Sequence, residues 1–167
     1  MHKFYRGKVD LSPAIAYNIA ILWNSAKEGG LMNLKKLVEF RNRSNPFCQR
    51  LGIRVEEIQQ GYARSVMTVS PEDTNPLGIP HGGVYFSLAD TTCGSAAASH
   101  GFKAVTMDAS YHFLRSAAVG DTLIAEAREL KAGRTVCVYE LRITGPQGTL
   151  LGYGTFSFYL TGEPLEL

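Results

Sequence analysis

From Met32 onward the apolar positions follow a helical rhythm, give way to strands, pass through one run of small residues and return to strands. Leu34, Leu37, Val38 and Phe40, then Phe47 and Leu51, recur near helical spacing with a break at Asn45-Pro46. This predicts a helix over 32–43, a turn, and a short helix over 46–51, a segment that covers an edge or mouth of the domain. Ile53–Gln60 and Tyr62–Ser70 follow as strand-like runs separated by Gly61. In the second, Ala63, Ser65, Met67 and Val69 fall on one face and Tyr62, Arg64, Val66 and Thr68 on the other. Pro71, Asn75-Pro76, Gly78 and Pro80 then predict a loop without regular structure.

His81–Ser99 (HGGVYFSLADTTCGSAAAS) keeps helical character, but its second half is Ala, Ser, Gly and Cys with hardly a charge. A helix of such residues has to be wrapped closely by other elements, because few of its positions favour water. His100-Gly101 supplies a basic last turn and a glycine stop. The rest reads as strands, Lys103–Arg115, Thr122–Ala132, Thr135–Thr144 and Leu150–Leu160, separated by turn residues. Val136, Val138, Glu140 and Arg142 alternate with Cys137, Tyr139, Leu141 and Ile143. The order β-β-α-β-β-β-β predicts an α+β domain, a strongly curved antiparallel sheet wrapped round one central apolar helix.

Composition narrows the function classes. Lys and Arg number 17 against 15 Asp and Glu, too balanced for a chain that neutralises phosphate backbones, so no nucleic-acid partner is expected. Cys48, Cys93 and Cys137 are an odd count without C-x-x-C spacing, which favours a reducing cytoplasm over a disulfide framework or a zinc knuckle. His2, His81, His100 and His112 show no zinc spacing either, so no metal site is expected. No apolar run approaches the roughly 20 residues that cross a bilayer, and no membrane partner is expected. Residues 1–31 read as an extension. Ala14–Trp23 is apolar but broken by Asn18 and suits an amphipathic helix docked on the domain. Asp10, Glu28 and the lack of a small-x-small cleavage site argue against a signal peptide. Alternatively, Lys27-Glu28-Gly29-Gly30 translates bases that resemble a ribosome-binding site just upstream of Met32. Residues 1–31 would then be a translated leader, and 32–167 the domain.

Candidate chemistry concentrates in Asn75–Asp90 (NPLGIPHGGVYFSLAD). Asp90 falls two turns into the small-residue helix, among Leu88, Ala89, Cys93, Gly94 and Ala96. A carboxylate there carries a heavy desolvation penalty unless it faces a wet cleft or a partner. It is either a surface Asp bonded to Thr91 or Thr92, or a reactive carboxylate at the bottom of a pocket. Gly82-Gly83 opens the same helix, where first-turn N–H groups lack intrahelical acceptors and a carbonyl can come close. Losing such an oxyanion donor typically costs ~3 kcal/mol, although glycine pairs also serve simply as turns. His81 and Asn75 add polar groups on the same loop, as ligands or as caps. Eight residues separate Gly82 from Asp90, ~12 Å along a helix axis. That is too far for both to touch one reacting carbon within a chain. Two protomers side by side can supply amide donor and carboxylate to each site, so a homodimer with shared sites is expected.

The run N-P-L-G-I-P-H-G-G-V-Y-F-S-L-A-D-T resembles the signature of hotdog-fold acyl-CoA thioesterases of the phenylacetate-degradation (PaaI-like) type. Y-H-F-L-R and A-V-G-D-T-L-I-A-E-A resemble the same family's third and fourth strands, and the resemblance spans residues 45–161. It implies a hotdog fold, hydrolysis of a CoA thioester to free acid and CoA, and a homodimer paired again into a homotetramer. Asp90 is implied as the acid that activates water or attacks the thioester carbonyl, and Gly82 as the backbone donor to that carbonyl. Asn75 and His81 are implied as loop residues that bind the carbonyl or orient the water, with Asn75 from the opposite subunit. Thr106 falls where relatives place a Ser or Thr that hydrogen-bonds the nucleophilic water. Coenzyme A is implied against Arg115, Lys131, Gly133, Arg134 and Thr135, which otherwise read as solvated turn residues. The acyl group is expected beneath the central helix, against Tyr85, Phe86 and Leu88. No separate cofactor is implied, coenzyme A being part of the substrate. The alternative is a non-catalytic acyl-CoA-binding hotdog module, a sensor that keeps the pocket without a reactive carboxylate. Asp90 counts against it.

Overall fold

The structure, a computed structural model, describes residues 32–167, and the docking-helix and leader expectations for residues 1–31 lie outside them. Asparagine caps start the first two helices. The Asn33 side chain accepts the Lys36 N–H to open α1 (Leu34–Arg43), and the Asn45 side chain accepts the Cys48 N–H to open α2 (Pro46–Arg50). Pro46 sits at the first helical position, where a missing N–H goes unnoticed. Asn42 ties the pair to the sheet, donating to Val55 O and accepting from Val55 N, both at 2.9 Å.

Then follow β1 (Arg54–Gln59), β2 (Tyr62–Thr68), α3 (Gly82–Ala98), β3 (Phe102–Phe113), β4 (Thr122–Ala132), β5 (Val136–Thr144) and β6 (Leu150–Pro164). The expected element order is the observed one. β6 continues past Leu160 to Pro164 because its end pairs with the start of β3 at Phe102. The predicted structureless loop holds one 3-10 turn at Pro71–Asp73, closed by the Asp73 carboxylate, which accepts from Ser70 N and Ser70 Oγ.

All six strands form one antiparallel sheet in the order β1-β2-β4-β5-β6-β3. Ala63, Ser65 and Met67 of β2 and Cys137, Tyr139, Leu141 and Ile143 of β5 face inward as their alternation predicts. Outward, cross-strand pairing lines up Arg64, Glu126, Arg142 and Tyr153 in one polar row. Bulges at Val55/Glu57, Thr106/Asp108 and Glu129/Lys131 add local twist, which curls the sheet round α3. This is the α+β hotdog architecture that the sequence leads one to expect.

α3 is buried almost all round, with Leu88, Ala89, Cys93, Ala96 and Ala97 fully enclosed. Its small residues let neighbours close in: a Cβ on Gly94 would lie 3.4 Å from both Arg41 Nη2 and Phe158 Cε1. Buried hydroxyls bond one turn back, Thr92 Oγ1 to Leu88 O and Ser95 Oγ to Thr91 O, both at 2.7 Å. These two hydroxyls therefore enter the core with their donors met, whereas the Ser65 and Tyr111 hydroxyls are buried without a partner among the described residues. Large apolar side chains from the sheet, Tyr139, Phe156 and Leu141, fill the space opposite, each worth about 1.5–3 kcal/mol when fully buried. Gly61 makes the β1–β2 turn at φ +68°, where a Cβ would also meet Glu129 Cβ at 3.0 Å, so shape and space both select glycine. Among the described residues no helix is long and apolar enough to cross a membrane.

Candidate active site

Thr106 Oγ1 donates to Asp90 Oδ1 at 2.6 Å, joining α3 to the edge strand β3. A bulge sets this aim. Pairing steps from Thr106↔Phe158 to Asp108↔Ser157, leaving Met107 as the extra residue. In an unbroken strand Thr106 would face away from Tyr111 and Phe113, five and seven residues on. With the bulge all three meet α3: Thr106 at Asp90, Tyr111 at Phe86 and Phe113 at Tyr85.

Asp90 is half-buried and lines a cavity of about 460 Å³ with Arg41, Phe86, Thr91, Thr106 and Phe158. Arg41 is the cation of this cavity. Its Nε donates to Ser95 Oγ at 3.0 Å and its Nη2 to Thr91 O at 3.4 Å, while Nη1 finds no acceptor among the described residues. Burial lowers the Arg41 pKa, and the neighbouring Asp90 carboxylate works the other way. Burial also pushes the Cys93 thiol well above its ordinary range, and Asp90 adds to it. Cys93 thus stays a thiol, unsuited to act as the nucleophile.

The other candidates gather at the start of α3. His81 caps the helix, its Nδ1 accepting the Gly83 N–H at 2.8 Å. That leaves the Gly82 N–H with no acceptor among the described residues. Asn75 Oδ1 accepts the Leu77 N–H at 2.9 Å within its own loop, so its amide N–H₂ group remains to donate. Asn75 and Gly82 share a pocket of about 360 Å³ with Tyr85, Phe113 and Arg115. His81 lines a different one, of about 370 Å³, with Glu72, Asp73 and Gly83. On one chain, then, Asp90 and Thr106 stand together, Asn75 and Gly82 stand together, and the two pairs occupy separate cavities.

The residues implied for coenzyme A do not converge on one chain. Arg115 Nη1 donates to Leu150 O at 3.2 Å, at the start of β6. Thr135 O accepts the Leu160 N–H at 2.8 Å, ten residues further along, or ~33 Å of strand. Gly133 closes the β4–β5 hairpin by donating its N–H to Val136 O at 2.9 Å, and Lys131, Arg134 and Thr135 are exposed beside it. Arg115 belongs to the Gly82 end, and the hairpin to the Thr106 end, where Val105 and Val136 both pair with Tyr159. Of the three residues expected along the acyl group, Phe86 lines the Asp90 cavity and Tyr85 the Gly82 pocket. Leu88 is fully enclosed in the core instead, because its side of the helix packs on the sheet.

Comparison with known proteins gives this geometry a family. The model of the thioesterase superfamily matches residues 77–151. Acyl-coenzyme A thioesterase PaaI of Escherichia coli is 38% identical over 104 residues, which cover 62% of this chain and 74% of that protein. The chain belongs to the PaaI-like thioesterases. The solved structure of the E. coli PaaI protein from the phenylacetic acid degradation operon superposes with a TM-score of 0.72 at 28% identity, covering 88% of this chain and 98% of that one. A Streptococcus mutans protein solved bound to acetyl CoA superposes at 0.65 with 30% identity, covering 68% and 91%.

In this PaaI-like thioesterase two features of the cavity escaped the sequence reading. Arg41 lies before the segment that the family model matches. A signal was present, since Leu34, Leu37 and Arg41 share one helical face and a cation in register with a buried stripe is unusual. The Met107 bulge has no comparable marker: the strand reads continuously from Ala104 to Phe113.

Proposed function

We propose that the chain hydrolyses acyl-CoA thioesters to free acid and coenzyme A, in sites that two protomers complete together. The pairing of Asp90 with Thr106 carries this reading. The Gly82 N–H, at the positive end of the α3 dipole, holds the thioester carbonyl and the oxyanion that forms on it. Thr106 fixes one oxygen of the Asp90 carboxylate and leaves the other free. That oxygen takes a proton from water attacking the carbonyl carbon, or attacks it directly to form a mixed anhydride that water then hydrolyses to the free acid. The tetrahedral intermediate then expels the CoA thiolate, which leaves as the thiol. Asn75, through its uncommitted amide, orients the carbonyl or the water, and His81, its Nδ1 engaged as the helix cap, keeps Nε2 for a polar partner.

The separation of the two pairs on one chain supports the shared site. β3 has one unpaired edge, and Val105, Met107 and Phe113 on it are 54%, 58% and 58% exposed. A twelve-residue apolar edge strand of this kind invites a second copy. Antiparallel pairing of two β3 edges runs the Thr106 end of one strand towards the Phe113 end of the other. It brings Asp90 of one chain to Gly82 and Asn75 of its partner, and Arg115 towards the partner's hairpin at Gly133, Arg134 and Thr135. Exposed Phe47, Leu77 and Ile79 remain for a second interface, which suits a dimer of dimers. Three buried free cysteines suit the reducing cytoplasm as the working compartment.

An acyl-CoA panel with a free-thiol reagent tests the reading. Thiol release that Asp90→Asn abolishes is the expected outcome. Tight acyl-CoA binding without release would make the chain a sensor and contradict it.

A further inference from the structure

At the end of α3 remote from Gly82, three elements each deliver one side chain of metal-ligating chemistry: His100 just past the helix, Glu129 from β4 and Cys137 from β5. Their ligand atoms all lie within 4.8 Å of one another. We propose that His100 Nε2, Glu129 Oε2 and Cys137 Sγ form a site for a divalent transition-metal ion, with Zn²⁺ the best match to the donor set.

The geometry is close to what the ion requires. Zinc bonds nitrogen and oxygen at ~2.0 Å and sulfur at ~2.3 Å, which in a tetrahedron separates ligand atoms by roughly 3.3–3.6 Å. His100 Nε2 and Glu129 Oε2 stand 2.5 Å apart and would open by about 1 Å. The sulfur, within 4.8 Å of the other two atoms, would close towards the same spacing. Partners for an outer shell are in place. Gln60 Nε2 lies 2.9 Å from His100 Nδ1, and the Tyr139 hydroxyl donates to Glu129 Oε2 at 3.4 Å. Burial is graded as in an open three-ligand site. Cys137 is fully enclosed, whereas the His100 and Glu129 side chains are 17% and 24% exposed, leaving a fourth position for water.

A hydrogen bond accounts for His100 and Glu129 and core packing for Cys137, while a metal site uses the convergence of all three donor atoms at one point. The sulfur also sets the metal class. Thiolate with imidazole and one carboxylate favours zinc or cobalt, while magnesium and calcium want oxygen throughout. Histidine spacing along the chain gives no hint of such a site, because the ligands come from three elements that only the fold assembles. On binding, Cys137 releases its thiol proton to solvent and its sulfur donates an electron pair to the ion. His100 moves its proton from Nε2 to Nδ1, where the Gln60 amide, turned over, accepts it. No oxidant or reductant takes part. The ion would pin the C-terminal end of α3 to the β4–β5 hairpin, ten residues and ~15 Å of helix from Asp90.

Titration of the metal-free full-length protein with Co²⁺ and Zn²⁺ tests the site. The expected result is one equivalent of Co²⁺, a thiolate-to-cobalt charge-transfer band, proton release and displacement of the band by Zn²⁺. Cys137→Ser should abolish the band, Cys93→Ala should keep it, and His100→Ala or Glu129→Gln should weaken binding at least tenfold. His100→Ala, on the partly exposed side, serves if Cys137→Ser does not fold. Absence of the band in the wild type, cobalt uptake without it, or its survival in Cys137→Ser or His100→Ala would each overturn the proposal.

Discussion

The Phe113 ring lies against the Cα of Gly82, so closely that a Cβ there would fall 3.2 Å from its Cε1. Phe113 is itself held by Tyr111 and Tyr85, with ring centroids at 4.7 and 6.2 Å. The uncommitted amide at the start of α3 is thus walled by an aromatic ring that must shift by a few tenths of an ångström to admit a Cβ. Gly82→Ala keeps the N–H but displaces ring or backbone. It should cost about 1 kcal/mol of stability, as mild overpacking does, yet lower kcat by ~10-fold or more through misplacement of the donor. Denaturant unfolding and steady-state kinetics on the same variant separate the two. A stability loss with unchanged kcat would contradict the claim that the close contact with Phe113 sets the position of the donor.

Asp90→Asn preserves an acceptor for the Thr106 hydroxyl but removes the basic oxygen. It should lower kcat by ~10²-fold or more while leaving the fold intact. Thr106→Ala should cost ~10-fold, and Thr106→Ser should restore most of it, because only the hydroxyl is needed. Near-normal turnover in Asp90→Asn would contradict the role assigned to the carboxylate.

Arg41 makes charged hydrogen bonds from α1 to the α3 groups Ser95 Oγ and Thr91 O. Arg41→Met removes them from a part-buried place and should destabilise the fold by about 1–3 kcal/mol. Because the guanidinium lines the Asp90 cavity, kcat/KM should also fall, and Arg41→Lys should recover charge without the fork that spans both acceptors. Urea unfolding at constant m-value reads the first effect, and the kinetics of both variants read the second.

Tyr62 supplies a test at alkaline pH. Burial, and then its hydrogen bond to Glu126 Oε1 at 2.8 Å, raise its pKa from 10.0 to about 12. A pKa raised in the folded state means that the stabilisation is complete below pH 10 and is lost as pH rises through about 12. Glu126→Gln should move this phenol back towards its ordinary range in a phenolate absorbance titration. An unchanged titration curve would discount the hydrogen bond as a cause.

Most of the fold was legible because one rule governs it: a strand with one buried face alternates. Ala63, Ser65 and Met67 of β2 and Cys137 to Ile143 of β5 follow that rule. The small-residue helix was legible for a related reason, since Ala96, Ala97 and Gly94 can only be stable under close cover. Asp90 was conspicuous as a carboxylate in that company. Thr106 was reached through family resemblance, because the bulge that turns it towards Asp90 depends on pairing with β6 and leaves no local mark. Arg41, like His100 with Glu129 and Cys137, was hidden by distance along the chain. His81 illustrates the opposite limit: the same residue can cap a helix and border a site, and only coordinates show that its Nδ1 is already engaged.

Mixing two damaged chains tests the shared site most directly. Asp90→Asn lacks the carboxylate and Asn75→Ala lacks the loop amide, so each homodimer should be nearly inactive. In an equal mixture half of the dimers pair one chain of each kind. One of the two sites in such a pair then holds an intact Asp90 and an intact Asn75 from opposite chains. About a quarter of wild-type activity should return. A mixture as inactive as its parents would mean that each chain carries its site alone.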